Sequence, residues 1–76
     1  MDNSKLMMLT DTEVQVILSL AKHNMVTTKV AKEFFYSEFT IRLKCKKIRE
    51  KTGLNPKVFC DLVKLVEMVE GMSDNG

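Results

Sequence analysis

A chain of 76 residues with 45% apolar and 29% charged side chains has the composition of one globular domain, which excludes the disordered and fibrous classes. That length lies near the lower limit for a single core without a metal, a disulfide or a partner, so oligomerisation is expected. The formal charge of +2 is too small to indicate a partner by itself, and only its distribution is informative.

The chain reads as a single domain over 1–76, with the folded part at 9–70 between polar, loose ends at Met1–Lys5 and Gly71–Gly76. Leu6 to Leu9 is far short of the roughly 20 apolar residues that span a bilayer, and no run has signal-peptide length, so no membrane association is expected. Thr10 to Glu13 has the spacing of a capping box, which starts a first helix at Asp11. Val14, Ile17, Leu18 and Ala21 form its predicted inward stripe, and His23-Asn24 its stop.

Thr27 or Thr28 is the expected cap of a short second helix through about Phe35, with Val30, Ala31 and Phe34 inward. Ala31 suits a close helix crossing. Ser37 caps a third helix that runs to about Lys51, ahead of Gly53, the residue suited to a left-handed stop. Asn55-Pro56 then opens a fourth helix, with asparagine as N-cap and proline in the first turn. Val58, Phe59, Leu62, Val63, Leu65, Val66 and Val69 cover more than one face of it, which suits packing against another copy.

The fold class expected from this order is all-α. It is a four-helix domain whose helix, tight turn and basic helix form a helix-turn-helix in a homeodomain-like three-helical core, followed by a C-terminal helix.

Charge is concentrated in the third helix. From Arg42 to Lys51 six basic residues, Arg42, Lys44, Lys46, Lys47, Arg49 and Lys51, stand against the single acid Glu50. At about 100° per residue, Ile41, Cys45, Ile48 and Thr52 fall on one narrow stripe. The basic residues occupy the remaining surface, where they can neutralise phosphates and release counterions. Phe39 and Leu43 lie roughly 180° from the stripe, beside Lys46 and Glu50. They can touch thymine methyl groups, pack on another chain, or lie under the fourth helix.

Glu38 favours the helix dipole and can also accept from cytosine N4. The Ser37 and Thr40 hydroxyls can cap the helix or bond phosphates. The predicted DNA contacts are therefore Ser37, Glu38, Phe39, Thr40, Arg42, Leu43, Lys44, Lys46 and Lys47, with Arg42, Lys46 and Lys47 foremost.

No catalytic residue, cofactor or metal is expected. His23 is the lone histidine, and no nucleophile motif or Gly-rich phosphate loop accompanies it. Cys45 and Cys60 lack zinc-ligand spacing and read as buried free thiols, which implies a reducing, cytoplasmic setting.

Ala31-Lys-Glu-Phe-Phe-Tyr-Ser37-Glu-Phe-Thr40-Ile41, extended through Ile48 to Thr52-Gly53-Leu54, resembles the C-terminal helix-turn-helix domain of PucR-type transcription regulators, which include the sugar-diacid regulators. The resemblance covers about Leu9 to Val69. It implies an all-helical domain that reads double-stranded DNA with its third helix.

The family's usual Arg-Asn pair before the threonine is Glu38-Phe39 here, and its usual arginine four residues after the threonine is Lys44. Family members carry the module at the end of a longer regulator, so a small bacterial or mobile-element regulator is the expectation, dimeric through the fourth helix or through Phe39 and Leu43. The competing expectation is an adaptor or antirepressor that keeps the fold and turns Phe39 and Leu43 to a protein partner.

Overall fold

The structure, a computed structural model, describes residues 9–73. The loose ends expected at Met1–Lys5 and from residue 74 onward lie outside the described residues. Residues 71–73, expected in the tail, continue the last helix instead.

The capping box forms. Thr10 Oγ1 accepts from the Glu13 amide at 3.1 Å, and Glu13 Oε1 accepts from the Thr10 amide at 2.9 Å, starting α1 (Asp11–Lys22). The inward stripe of α1 is rotated from the expected one. Val16, Ile17 and Leu20 are fully buried, Val14 and Leu18 are partly buried, and Ala21 is exposed. The rotation follows from α1 having neighbours on several sides, since it packs against all three other helices.

The His23 amide closes the helix onto Ser19 O, and Asn24 and Met25 then turn the chain with positive φ values of 55° and 69°. The second helix, α2 (Thr27–Phe34), has Val26 as its N-cap and no side-chain cap bond, so neither Thr27 nor Thr28 takes the expected role. It also ends one residue early. Phe35 is its left-handed cap at φ 59°, where its amide and that of Tyr36 reach back to Lys32 O and Ala31 O. Val30 and Ala31 are its buried residues.

Ser37 caps α3 (Glu38–Thr52) by accepting from the Thr40 amide at 3.2 Å. The core stripe of α3 is the expected one, with Ile41, Cys45, Ile48 and Thr52 buried. Thr52 Oγ1 donates to Ile48 O at 2.8 Å and accepts from the Leu54 amide at 3.1 Å, while Gly53, at φ 77°, donates to Arg49 O. Thr52-Gly53-Leu54 therefore works as the helix stop.

The last helix, α4 (Phe59–Ser73), begins later than expected. Asn55 does not cap it. Its Oδ1 accepts from the Lys57 amide at 2.9 Å and its own amide donates to Asp61 Oδ2 at 3.0 Å, which makes a turn over the fully buried Pro56. Leu62, Leu65 and Val69 form the buried side of α4.

Among the described residues the fold is four helices without strands, and one apolar cluster joins all of them. Each large aliphatic side chain buried there contributes about 1.5–3 kcal/mol before entropy is counted. The arrangement has one consequence for function. Because α4 rests on α1 and hardly meets α3, the outer face of α3 is left uncovered.

Candidate nucleic-acid interface

Phe39 and Leu43 lie on that uncovered face, 66% and 43% exposed. Coverage by the fourth helix, one of the three roles open to them, is ruled out by the position of α4 on α1. Around them stand Arg42, Lys46, Lys47 and Glu50, all exposed. Phe35, at the turn that ends α2, is 95% exposed.

The electrostatics of α3 differ from one side to the other. Lys51 does not reach outward. Its Nζ lies 2.8 Å from Glu13 Oε1, and the side chain of Glu13 is only 4% exposed. Burial acts to raise the Glu13 carboxyl, but the Lys51 hydrogen bond and charge together with the Thr10 amide outweigh it and hold the carboxyl below its ordinary value. Lys44 is half-buried, with its Nζ 5.7 Å from the centroid of the Tyr36 ring, which itself stacks on Phe34. These two lysines tie α3 to α1 and to the turn.

Glu38 makes an exposed i,i+4 pair with Arg42 at 3.8 Å, a weak contact that leaves the guanidinium 62% exposed. Ser37 and Thr40 share a hydroxyl contact of 3.1 Å in addition to the cap bond, so both hydroxyls belong first to the helix start. Lys46, Lys47 and Arg49 form no ion pair among the described residues.

The predicted contacts thus separate into groups. Phe39, Arg42, Leu43, Lys46 and Lys47 share the outer face; Ser37, Glu38 and Thr40 form the helix start; Lys44 turns aside toward Tyr36. Comparison with protein-family models, with curated proteins and with solved structures gives no match. The resemblance to PucR-type domains rests on its motif residues alone.

Two further residues, absent from the predicted contacts, stand beside this face. Arg49 lies one helical turn beyond Lys46, a position the helix wheel places next to Arg42. Lys57 comes from the turn after α3, and nothing in its spacing foretells the contact. Together with Arg42, Cys45, Lys46 and Asn55 they line a depression of about 360 Å³. Burial pushes the Cys45 thiol up in pKa, opposed by the Lys57 ammonium, so a protonated thiol lies in its lining.

The expectation of two buried thiols is half met, since Cys45 is buried and Cys60 is exposed on α4. A second depression, of about 280 Å³, runs between α1 and α4, lined chiefly by Leu20, Met25, Phe59, Leu62, Val63 and Val66. His23 belongs to neither. Its Nε2 lies 3.0 Å from Glu33 Oε1, and Glu33 also accepts from Ser19 and pairs with Lys22, linking α2 to α1. The Ser19 and His23 hydrogen bonds lower the Glu33 pKa. Among the described residues no group of three or more His, Cys, Asp or Glu side chains is placed to hold a metal ion, and no helix is long and apolar enough to cross a membrane.

Proposed function

We propose that this chain is a DNA-binding transcriptional regulator of the helix-turn-helix type that lays the outer face of α3 in the major groove. One observation carries the reading. An uncovered helix face, braced from behind by α1 and α2, presents an apolar pair bordered by the exposed cations Arg42, Lys46 and Lys47 and by one acid, Glu50. A helix about 10–12 Å across fits the major groove when a second helix holds it at an angle, and in this reading α2, which packs against α3, does so.

In this reading Phe39 and Leu43 meet thymine methyl groups, and Arg42, Lys46 and Lys47 contact the flanking phosphates or guanine edges. Ser37 and Thr40 fix the start of the helix and place its amides toward a phosphate. Glu38 stays near Arg42 as a weak i,i+4 partner. A dimer through the Phe59 and Val63 face would pair two such helices on a two-fold operator.

A competing reading is a protein-interaction module with the same fold. It is favoured by the exposure of Phe35, Phe39 and Leu43 together with the apolar depression between α1 and α4, because exposed apolar patches mark protein contacts.

Fluorescence anisotropy with a random double-stranded DNA pool at several salt concentrations, followed by selection and sequencing of the bound fraction, separates the two readings. Salt-sensitive binding with an enriched motif is expected. Absence of binding at low salt would transfer the proposal to the protein-interaction module.

A further inference from the structure

The depression beside α3 differs in kind from the outer face. Arg42, Lys46 and Arg49 recur at i, i+4 and i+7, so they form one stripe down the flank of α3. Lys57 faces that stripe from a separate element, and the wall between is made by Cys45 and Asn55. Among the described residues no carboxylate lines it. The nearby Asp61 is engaged with the Asn55 amide, and Glu38 meets Arg42 only at 3.8 Å.

The turn that carries Lys57 is not a loose arm. Pro56 is fully buried beneath it, the Lys57 and Val58 amides both bond to Asn55, and Asn55 is bonded in turn to α4. Four cations drawn from two elements repel one another, and among the described residues they have no counterion there beyond the Glu38 contact. Such a site gains most from an anion that spans the gap. A string of phosphates meets that need, because neighbouring charges on one strand can engage the helix stripe and the turn together.

We propose that this depression is a phosphodiester clamp, in which Lys57 and Arg49 grip the backbone of one nucleic-acid strand against the flank of α3 while the outer face meets the bases. The clamp deepens the DNA-binding reading and rests on it for the identity of the strand, but the anion site itself can be tested without DNA. It acts on register and affinity and carries no sequence information.

The experiment has two arms, using the full chain, Lys57→Ala, Arg49→Ala and the double variant. All four are expected to have the same melting temperature within about 2 °C, because exposed charges away from the core contribute little to stability. In the first arm, the salt dependence of binding to double-stranded DNA loses about one slope unit for each residue removed, while the enriched motif stays the same. DNA binding with an unchanged slope in the double variant overturns the clamp and leaves the DNA-binding reading intact.

In the second arm, inorganic phosphate and then pyrophosphate are titrated into the isotope-labelled chain and followed by amide NMR. Saturable shifts at Arg42–Arg49 and Asn55–Val58, lost in the double variant, are expected. If these appear in a chain that fails to bind DNA, the anion site stands and the DNA-binding reading falls. If shifts are absent or scattered over every lysine, the site is overturned.

Discussion

Lys51 and Lys46 belong to the same helix and have the same chemistry, yet one is a structural ion and the other is free. Lys51 reaches Glu13 at 2.8 Å across the interface with α1, whereas Lys46 meets no carboxylate among the described residues. The same division runs along the whole of α3. Ile41, Cys45, Ile48 and Thr52 with Lys44 and Lys51 hold the helix to its scaffold, and Phe39, Arg42, Leu43, Lys46 and Lys47 are exposed to solvent or nearly so. The charge run therefore mixes cations that serve the fold with cations left exposed to solvent, and only their position separates the two kinds.

If that division is right, variants on the inner side lower stability without touching binding, and those on the outer side do the reverse. The largest effect is expected from Lys51→Ala, which leaves the Glu13 carboxylate buried without its ammonium. Chemical denaturation should show a loss of about 3 kcal/mol. Lys51→Met combined with Glu13→Gln, which keeps the acceptor for the Thr10 amide, should cost less than Lys51→Ala alone. An equal or greater loss in the double variant would mean that the pair is not what holds this corner.

The pH dependence has a definite sign. The Glu13 carboxyl is held below its unfolded value, so its contribution is present above the ordinary carboxylate range and is lost as pH falls through the lowered folded pKa. Denaturation midpoints across the acid range should show a steeper slope in the natural chain than in the Glu13→Gln variant, where the lowered Glu33 carboxyl still contributes.

On the outer side, Lys46→Ala with Lys47→Ala should reduce the salt slope of DNA binding by about two units and leave the melting curve unchanged. Unaltered binding would remove both residues from the interface. Ser37→Ala sits at the boundary between the two sides. Loss of the cap bond to the Thr40 amide should cost about 1 kcal/mol, read in the same denaturation experiment.

A change in stability within about 0.5 kcal/mol is expected for Phe39→Ser and Leu43→Ser, because neither side chain is in the core. Light scattering on these two variants tests their surface directly. Loss of a dimer would place self-association, and not base contact, at Phe39 and Leu43.

Much of the division was legible from spacing. The capping box at Thr10, the cap at Ser37, the stop at Gly53 and the stripe Ile41/Cys45/Ile48/Thr52 are short-range patterns, and a helix wheel contains what is needed to place them. The pair between Glu13 and Lys51 spans 38 positions and depends on how α1 crosses α3, so periodicity carries no trace of it.

The start of α4 departs from the Asn55-Pro56 signal for a local reason. Asn-Pro suits a helix entry, but Asn55 used its side chain on the Lys57 amide and made a turn, which moved the helix start to Phe59 and brought Lys57 to the flank of α3. The stripe of α1 was shifted because a helix with neighbours on three sides does not bury a single narrow face.

The most direct test of the division is to follow every backbone amide of the labelled chain by NMR while saturating it with double-stranded DNA carrying its selected motif. Shifts confined to Ser37–Glu50 and to the turn Asn55–Val58, with α1 and α4 unmoved, are predicted. Shifts centred on Phe59, Val63 and Val66, or none at all, would contradict the assignment of α3 as the face that meets DNA.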